Sequence, residues 1–69
     1  MDWITEASTK HESLIRRLGI HAPFEEKERF NFFRGVETAL AGYIDEKEIS
    51  VIIDYAEALS AELWDDDND

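Results

Sequence analysis

The His11–Glu12 pair is the first place in this sequence to look for chemistry. Zinc metalloproteases use two histidines four residues apart on one helix face, with a glutamate next to the first as general base. Position 15 of this chain is Ile15, so the second zinc ligand is missing. The chain contains no cysteine, which also removes thiolate metal sites. We therefore expect no zinc site around His11.

The C-terminal residues 65–69, DDDND, resemble the alternating acids that begin a calcium-binding loop. Such a loop also needs a central glycine and a closing glutamate, and both are missing. The serine and threonine side chains have no base beside them in a recognisable nucleophile arrangement, and the three scattered glycines form no phosphate-binding loop. We expect no catalytic, cofactor-binding or metal-binding residues and no small-molecule substrate, so the protein is predicted not to be an enzyme.

The spacing of apolar residues predicts an all-α protein. Apolar side chains recur at intervals of three and four within residues 3–18, 23–41 and 46–64, which is the period of an amphipathic helix. No sustained alternation indicates a strand. Short connections between three such segments favour a small antiparallel three-helix bundle. We expect residues 1–64 to form this single domain and residues 65–69 to be a disordered acidic tail.

Residues that favour the N- or C-terminus of a helix predict where the helices start and stop. Gly19 is expected to end the first helix in a left-handed conformation, and Pro23 is expected to occupy the first position of the second. Asp45 is the expected N-cap of the third helix, where Glu48 resembles the reciprocal partner in a capping box. These residues agree with the three-helix prediction.

His11 falls in the middle of the apolar face of the first predicted helix. A histidine in that position is most often a packed, hydrogen-bonded residue of a core or an interface, and this is our interpretation. The alternative is a contact that responds to pH, because the ordinary pKa of histidine lies close to neutrality.

The charge of the chain is unevenly distributed. The net charge is −10, but residues 1–34 hold six basic and six acidic side chains and sum to zero. Residues 35–69 hold only Lys47 against eleven acids, which gives the whole excess. The second half should therefore repel nucleic acid and anionic membranes and attract basic surfaces. We expect no direct binding to nucleic acid or membranes.

The predicted helices carry more apolar surface than a lone three-helix core can easily cover. The apolar face of the second helix covers about half of its circumference, wider than the usual stripe of just over 100°. The third helix has a second apolar stripe away from its core face. Isolated exposed apolar residues are common and are the simpler explanation. Our preferred prediction is an apolar interface with a second copy or another protein, formed by Phe24, Phe30, Gly35, Val51, Tyr55 and Ala58.

Three acids of the third helix have no basic residue four positions away, unlike the acids of the first helix. They are Asp54, Glu57 and Glu62. A solvated face that keeps the protein soluble accounts for such acids in many proteins. The functional interpretation is an acidic docking surface for a basic protein, where complementary charge speeds association and selects partners.

Small domains are usually stabilised by disulfides, a structural metal or oligomerisation. For this chain of 69 residues without cysteine, oligomerisation is the means left open. We therefore predict a small acidic accessory or regulatory protein that modulates a larger partner through protein–protein contacts, as a homodimer. The alternative is an acidic mimic of nucleic acid that inhibits a DNA- or RNA-binding protein. No signal peptide or membrane-spanning run is visible, so we expect a cytoplasmic location, in a bacterial cell or a phage-infected host.

Overall fold

The structure is a computed structural model that describes residues 2–65. Four α-helices account for almost all of them: α1 (Trp3–Lys10), α2 (Glu12–His21), α3 (Glu26–Leu40) and α4 (Glu46–Asp65). No strand occurs within this range. The all-α prediction is confirmed. The three-helix bundle is wrong, because the first predicted helix is divided into α1 and α2.

The division occurs at His11, whose backbone angles of φ −108° and ψ 23° lie outside the helical region. The local sequence contributes, because serine, threonine and histidine have weak helix propensity, and the Ser8 hydroxyl donates a hydrogen bond to the carbonyl of Thr5 at 3.0 Å. No proline or glycine marks the position. The helical spacing of apolar residues continues through position 11, so the sequence pattern alone does not indicate the bend.

Helix α4 is the centre of the fold. Helices α1 and α2 both pack against α4. Among the described helices, α4 is the only one that α3 contacts. The core forms where α2, α3 and α4 meet, and its buried members are Ile15, Ala22, Phe33, Ile52 and Ala56. Ser60 is also buried, and its hydroxyl donates to the carbonyl of Glu57 at 2.9 Å. The two sides of α4 thus carry different neighbours.

Gly19 does not end a helix, contrary to the prediction. It is a buried residue within α2 and has no positive φ. A methyl group placed on it would lie 2.5 Å from Leu59 Cδ2, so the absence of a side chain lets α2 approach α4 closely. The helix ends two residues later because Ala22, with φ −62° and ψ 139°, precedes Pro23. A residue before proline avoids the helical region.

The predicted start of α4 is confirmed, whereas the predicted start of α3 is wrong. Helix α3 begins at Glu26 rather than Pro23, after a short non-helical segment. Helix α4 begins after Asp45, whose Oδ1 accepts a hydrogen bond from the backbone N–H of Lys47 at 3.4 Å. Asp45 is therefore the N-cap, as predicted. Glu48 does not complete a capping box, because its carboxylate binds His11 and Lys10.

The acidic tail predicted for residues 65–69 lies, beyond Asp65, outside the described residues. Asp65 itself is the last residue of α4. None of the four helices combines the length and apolar character needed to cross a lipid bilayer.

Candidate protein-interaction surfaces

His11 and Glu48 join the first two helices to the start of α4. His11 Nε2 lies 2.8 Å from Glu48 Oε1, and the imidazole side chain is 15% exposed. Lys10 Nζ lies 3.5 Å from the same oxygen. These contacts hold the bend between α1 and α2 against α4. The interpretation of His11 as a packed, hydrogen-bonded residue is confirmed.

The hydrogen bond from His11 lowers the pKa of Glu48, and the charge of Lys10 acts in the same direction. Glu48 is consequently a carboxylate at neutral pH and accepts hydrogen bonds from both neighbours. It borders an open depression beside α1 that also includes Trp3, Ala7 and Lys10. A general acid at neutral pH would need a raised pKa, so Glu48 is suited to anchoring rather than proton donation.

Val51 lies three residues after Glu48 and is buried, with 5% of its surface exposed. Its predicted place in an exposed apolar stripe is therefore wrong. The prediction treated residues 3–18 as one straight helix. In the structure α1 packs against α4, and Lys10 and His11 meet Glu48, one turn before Val51. We attribute the burial of Val51 to this arrangement.

Tyr55 and Ala58, the other two members of that stripe, are exposed. They line a shallow depression of about 380 Å³ on α4, together with Leu59 and two acids, Asp54 and Glu62. We call this surface the α4 groove. Tyr55 is 44% exposed and also borders a neighbouring depression formed by α1 and α2. The structure thus brings predicted apolar and predicted acidic residues together on one surface.

The charge of the α4 groove is set by its two acids. On the side of α2, the neighbouring depression that Tyr55 borders includes two charged residues, Glu12 and Arg16. Arg16 Nη2 lies 3.3 Å from Glu12 Oε2, so these two charges offset each other. Asp54 and Glu62 have no ion-pair partner among the described residues. The α4 groove is therefore apolar along its floor and negative at its edges.

Glu57 does not belong to the α4 groove. It borders a separate depression on the other side of α4, with Phe30, Arg29 and Ala61. The three acids predicted to act as one docking surface are therefore divided between two sides of the helix. Helical spacing accounts for this division, because Glu57 is about 100° from Ala58 around α4.

Phe24 and Phe30 are both exposed, with 66% and 59% of their surface accessible. The Phe24 ring meets the edge of Trp64 with centroids 5.4 Å apart, and the indole N–H of Trp64 donates to the carbonyl of Ala22 at 3.1 Å. Arg29 donates to the carbonyl of Phe24 at 2.9 Å. Phe24 is therefore held against α4, although most of its ring faces solvent.

Phe30 also belongs to a line of exposed residues along α3, although its ring borders the depression that Glu57 lines. Lys27, Phe30 and Arg34 are spaced three and four residues apart, so they lie on one face of the helix. All three are exposed, and the Arg34 guanidinium lies 5.9 Å from the centre of the Phe30 ring. We call these three residues the α3 stripe. Their spacing is visible in the sequence, although only Phe30 was predicted to belong to an interface.

Gly35, which follows Arg34, is exposed, and a methyl group placed on it would meet nothing within 4 Å. No other helix of this chain approaches it within the described range. The interface predicted to include Gly35 can therefore involve only another molecule, and it stays a prediction.

The α4 groove also includes Leu59, which was not among the residues predicted to form an interface. Leu59 is half-buried because it packs over Gly19 while the rest of its side chain borders the groove.

Comparison with known protein families, curated proteins and solved structures found no match to this chain.

Proposed function

We propose that this protein is a non-enzymatic interaction module that binds a basic, apolar helical segment of a protein partner in the α4 groove. The observation that carries the proposal is the position of exposed Tyr55 and Ala58 between two acids, Asp54 and Glu62. The chain then acts on its partner by covering a surface of that partner. This is the role of a small accessory or regulatory protein.

The apolar floor supports binding to a protein rather than to a small molecule. Tyrosine is enriched at protein interfaces because it combines a large apolar ring with a polar hydroxyl. Ala58 is small and sits one turn after Asp54, so a partner side chain has room beside the Tyr55 ring. The groove is shallow, as a helix surface is, whereas small molecules usually bind in deeper pockets.

The charges support a partner with lysine or arginine on either side of an apolar centre. Asp54 and Glu62 are eight residues apart on α4, which is about 12 Å along the helix axis. Basic residues about two turns apart on a partner helix would meet both acids. Complementary charges of this kind accelerate association and exclude acidic partners.

The experiment is an affinity capture from the lysate of the source organism with three baits: wild type, Ala58→Arg and Ala39→Arg. Ala39→Arg is the matched control, because Ala39 is an exposed alanine of α3 outside the α4 groove. Captured proteins are identified by mass spectrometry, purified and titrated with each bait. We expect wild type and Ala39→Arg to bind equally and Ala58→Arg to bind at least tenfold more weakly.

The salt dependence of the captured complex separates this proposal from the nucleic-acid mimic. A complex based on the apolar floor should persist at high salt. A mimic should capture a nucleic-acid-binding protein at low salt only, because such contacts replace phosphates. Equal binding by Ala58→Arg and wild type would overturn the proposal.

A further inference from the structure

The α3 stripe has the chemistry that the proposed function requires of a partner. It consists of an exposed aromatic ring, Phe30, with a basic residue on each side, Lys27 and Arg34. Arg34 already lies over the Phe30 ring, so one charge is held next to the apolar centre. The stripe is part of a helix of 15 residues; its three residues are exposed, and Phe30 also borders a depression with Glu57 and Ala61 of α4.

The dimensions of the two surfaces agree. Lys27 and Arg34 are seven residues apart, about 10.5 Å along α3, and Asp54 and Glu62 are about 12 Å apart along α4. Long lysine and arginine side chains bridge the difference easily. With the helices side by side, the two basic groups face the two acids, and Phe30 lies over the space beside Tyr55 and Ala58.

We propose that the α3 stripe of a second copy of this chain occupies the α4 groove. The inference rests on the proposed function, since it names a partner for the same groove. Local charge complementarity favours this contact, and the two apolar centres lose their exposure to water together. The same contact covers Phe30, Tyr55 and Ala58, three of the residues predicted from sequence to form an interface.

The contact joins two different surfaces, so it is heterologous. Each copy presents one groove and one stripe, so association continues from copy to copy. It ends in a ring if the rotation closes and gives an open chain if it does not. An external partner with a basic, apolar helix competes with the second copy for the same groove. Self-association therefore regulates access to the groove, and it does so as a function of protein concentration.

The test uses two charge-reversal variants and measures mass by light scattering after size exclusion. Lys27→Glu with Arg34→Glu removes the stripe and keeps the groove. Asp54→Lys with Glu62→Lys removes the groove's charges and keeps the stripe. All of these residues are exposed, and circular dichroism confirms that each variant is folded. Arg17→Glu with Lys47→Glu is the control, because it makes the same change of charge as the first variant at exposed positions outside both surfaces.

We expect the wild type and the control to grow beyond the 8.0 kDa of one chain as concentration rises. Each surface variant alone should stay at the mass of one chain. An equimolar mixture of the two surface variants should form a species of twice that mass and nothing larger, because only one groove and one stripe remain intact in each pair.

A mixture that stays monomeric at every concentration would overturn the inference, and so would either surface variant associating alone as the wild type does. The two proposals can be told apart, because each fails on a different result. If the mixture stays monomeric while Ala58→Arg still loses the captured partner, the groove binds another protein and not this chain. If the mixture dimerises while Ala58→Arg captures everything that wild type does, the second copy is the occupant and the external partner is not.

Discussion

Val51 and Ala58 lie seven residues apart on the same side of α4, yet Val51 is buried and Ala58 is exposed. Two helical turns separate them, so their side chains point in nearly the same direction. Helix α1 packs against α4 beside Glu48, one turn before Val51, and the same side is left open further along. The α4 groove is the uncovered continuation of the surface on which α1 packs.

Substituting asparagine at each of these positions tests that relationship. Val51→Asn places an amide in an apolar interior and removes buried methyl groups, so we expect it to lower the free energy of unfolding by about 3 kcal/mol. Ala58→Asn changes only helix propensity, and we expect a loss below about 1 kcal/mol. Urea unfolding followed by circular dichroism measures both. Equal losses would show that α1 does not cover Val51.

Replacing Gly19 and Gly35 by alanine compares a close-packed glycine with an open one. Both are interior helix positions, where alanine is favoured over glycine by about 1 kcal/mol. At Gly35 nothing opposes that gain, so we expect Gly35→Ala to stabilise the fold by up to about 1 kcal/mol. At Gly19 the new methyl group collides with Leu59, and overpacking of this kind costs about 1–3 kcal/mol.

We therefore expect Gly19→Ala to leave stability unchanged at best and to lower it by as much as about 2 kcal/mol. In a Leu59→Ala background, Gly19→Ala should cost less than it does in wild type, because the Leu59 atoms at 2.5 and 2.8 Å are then absent. A stabilising effect of Gly19→Ala equal to that of Gly35→Ala would contradict the close contact between α2 and α4.

Glu48 makes stability depend on pH in the acid range. Its pKa is lower in the folded protein than its ordinary value of 4.5, so the folded state binds the proton less readily than the unfolded state. The resulting stabilisation is fully present above about pH 4.5 and is lost as the pH falls through the folded-state pKa. Wild type should therefore lose this contribution on acidification, and Glu48→Gln should lack it at every pH.

The measurement is the free energy of unfolding of wild type and Glu48→Gln from pH 7 to pH 3. We expect wild type to be the more stable at pH 7 and the two curves to converge below pH 4.5. Glu12→Gln is the control, because it removes an exposed ion pair, which contributes little to stability. A constant difference between wild type and Glu48→Gln across the pH range would show that the His11–Glu48 contact is not electrostatic.

The sequence predicted the elements whose signals are local. The apolar period identified the helical segments, and Asp45 marked the start of α4 because a cap depends on neighbouring backbone groups. The bend at His11 was missed because the local signal is weak and the contact that holds the bend is distant: His11 binds Glu48, 37 residues away. The role of Gly19 was missed for the same reason, since Leu59 determines it.

The candidate site was predicted in part. Tyr55, Ala58, Asp54 and Glu62 were identified as residues of an interface, and they share the α4 groove. Val51 was misplaced because the prediction took α1 to continue straight into α2. Glu57 was grouped with the other acids because the sequence analysis compared their charges and not their angles around α4. Such errors arise where the position of one helix decides the exposure of another.

The most direct test of the central claim, that the α4 groove is the binding surface, is mapping of amide chemical shifts by NMR. The sample is the ¹⁵N-labelled Lys27→Glu, Arg34→Glu variant, which keeps the groove and does not present the α3 stripe. It is titrated with the purified partner identified by affinity capture. We predict shift changes concentrated in residues 54–62 of α4 and in the adjacent residues of α2. Changes centred on Phe24 and the start of α3, with residues 54–62 unaffected, would contradict the account.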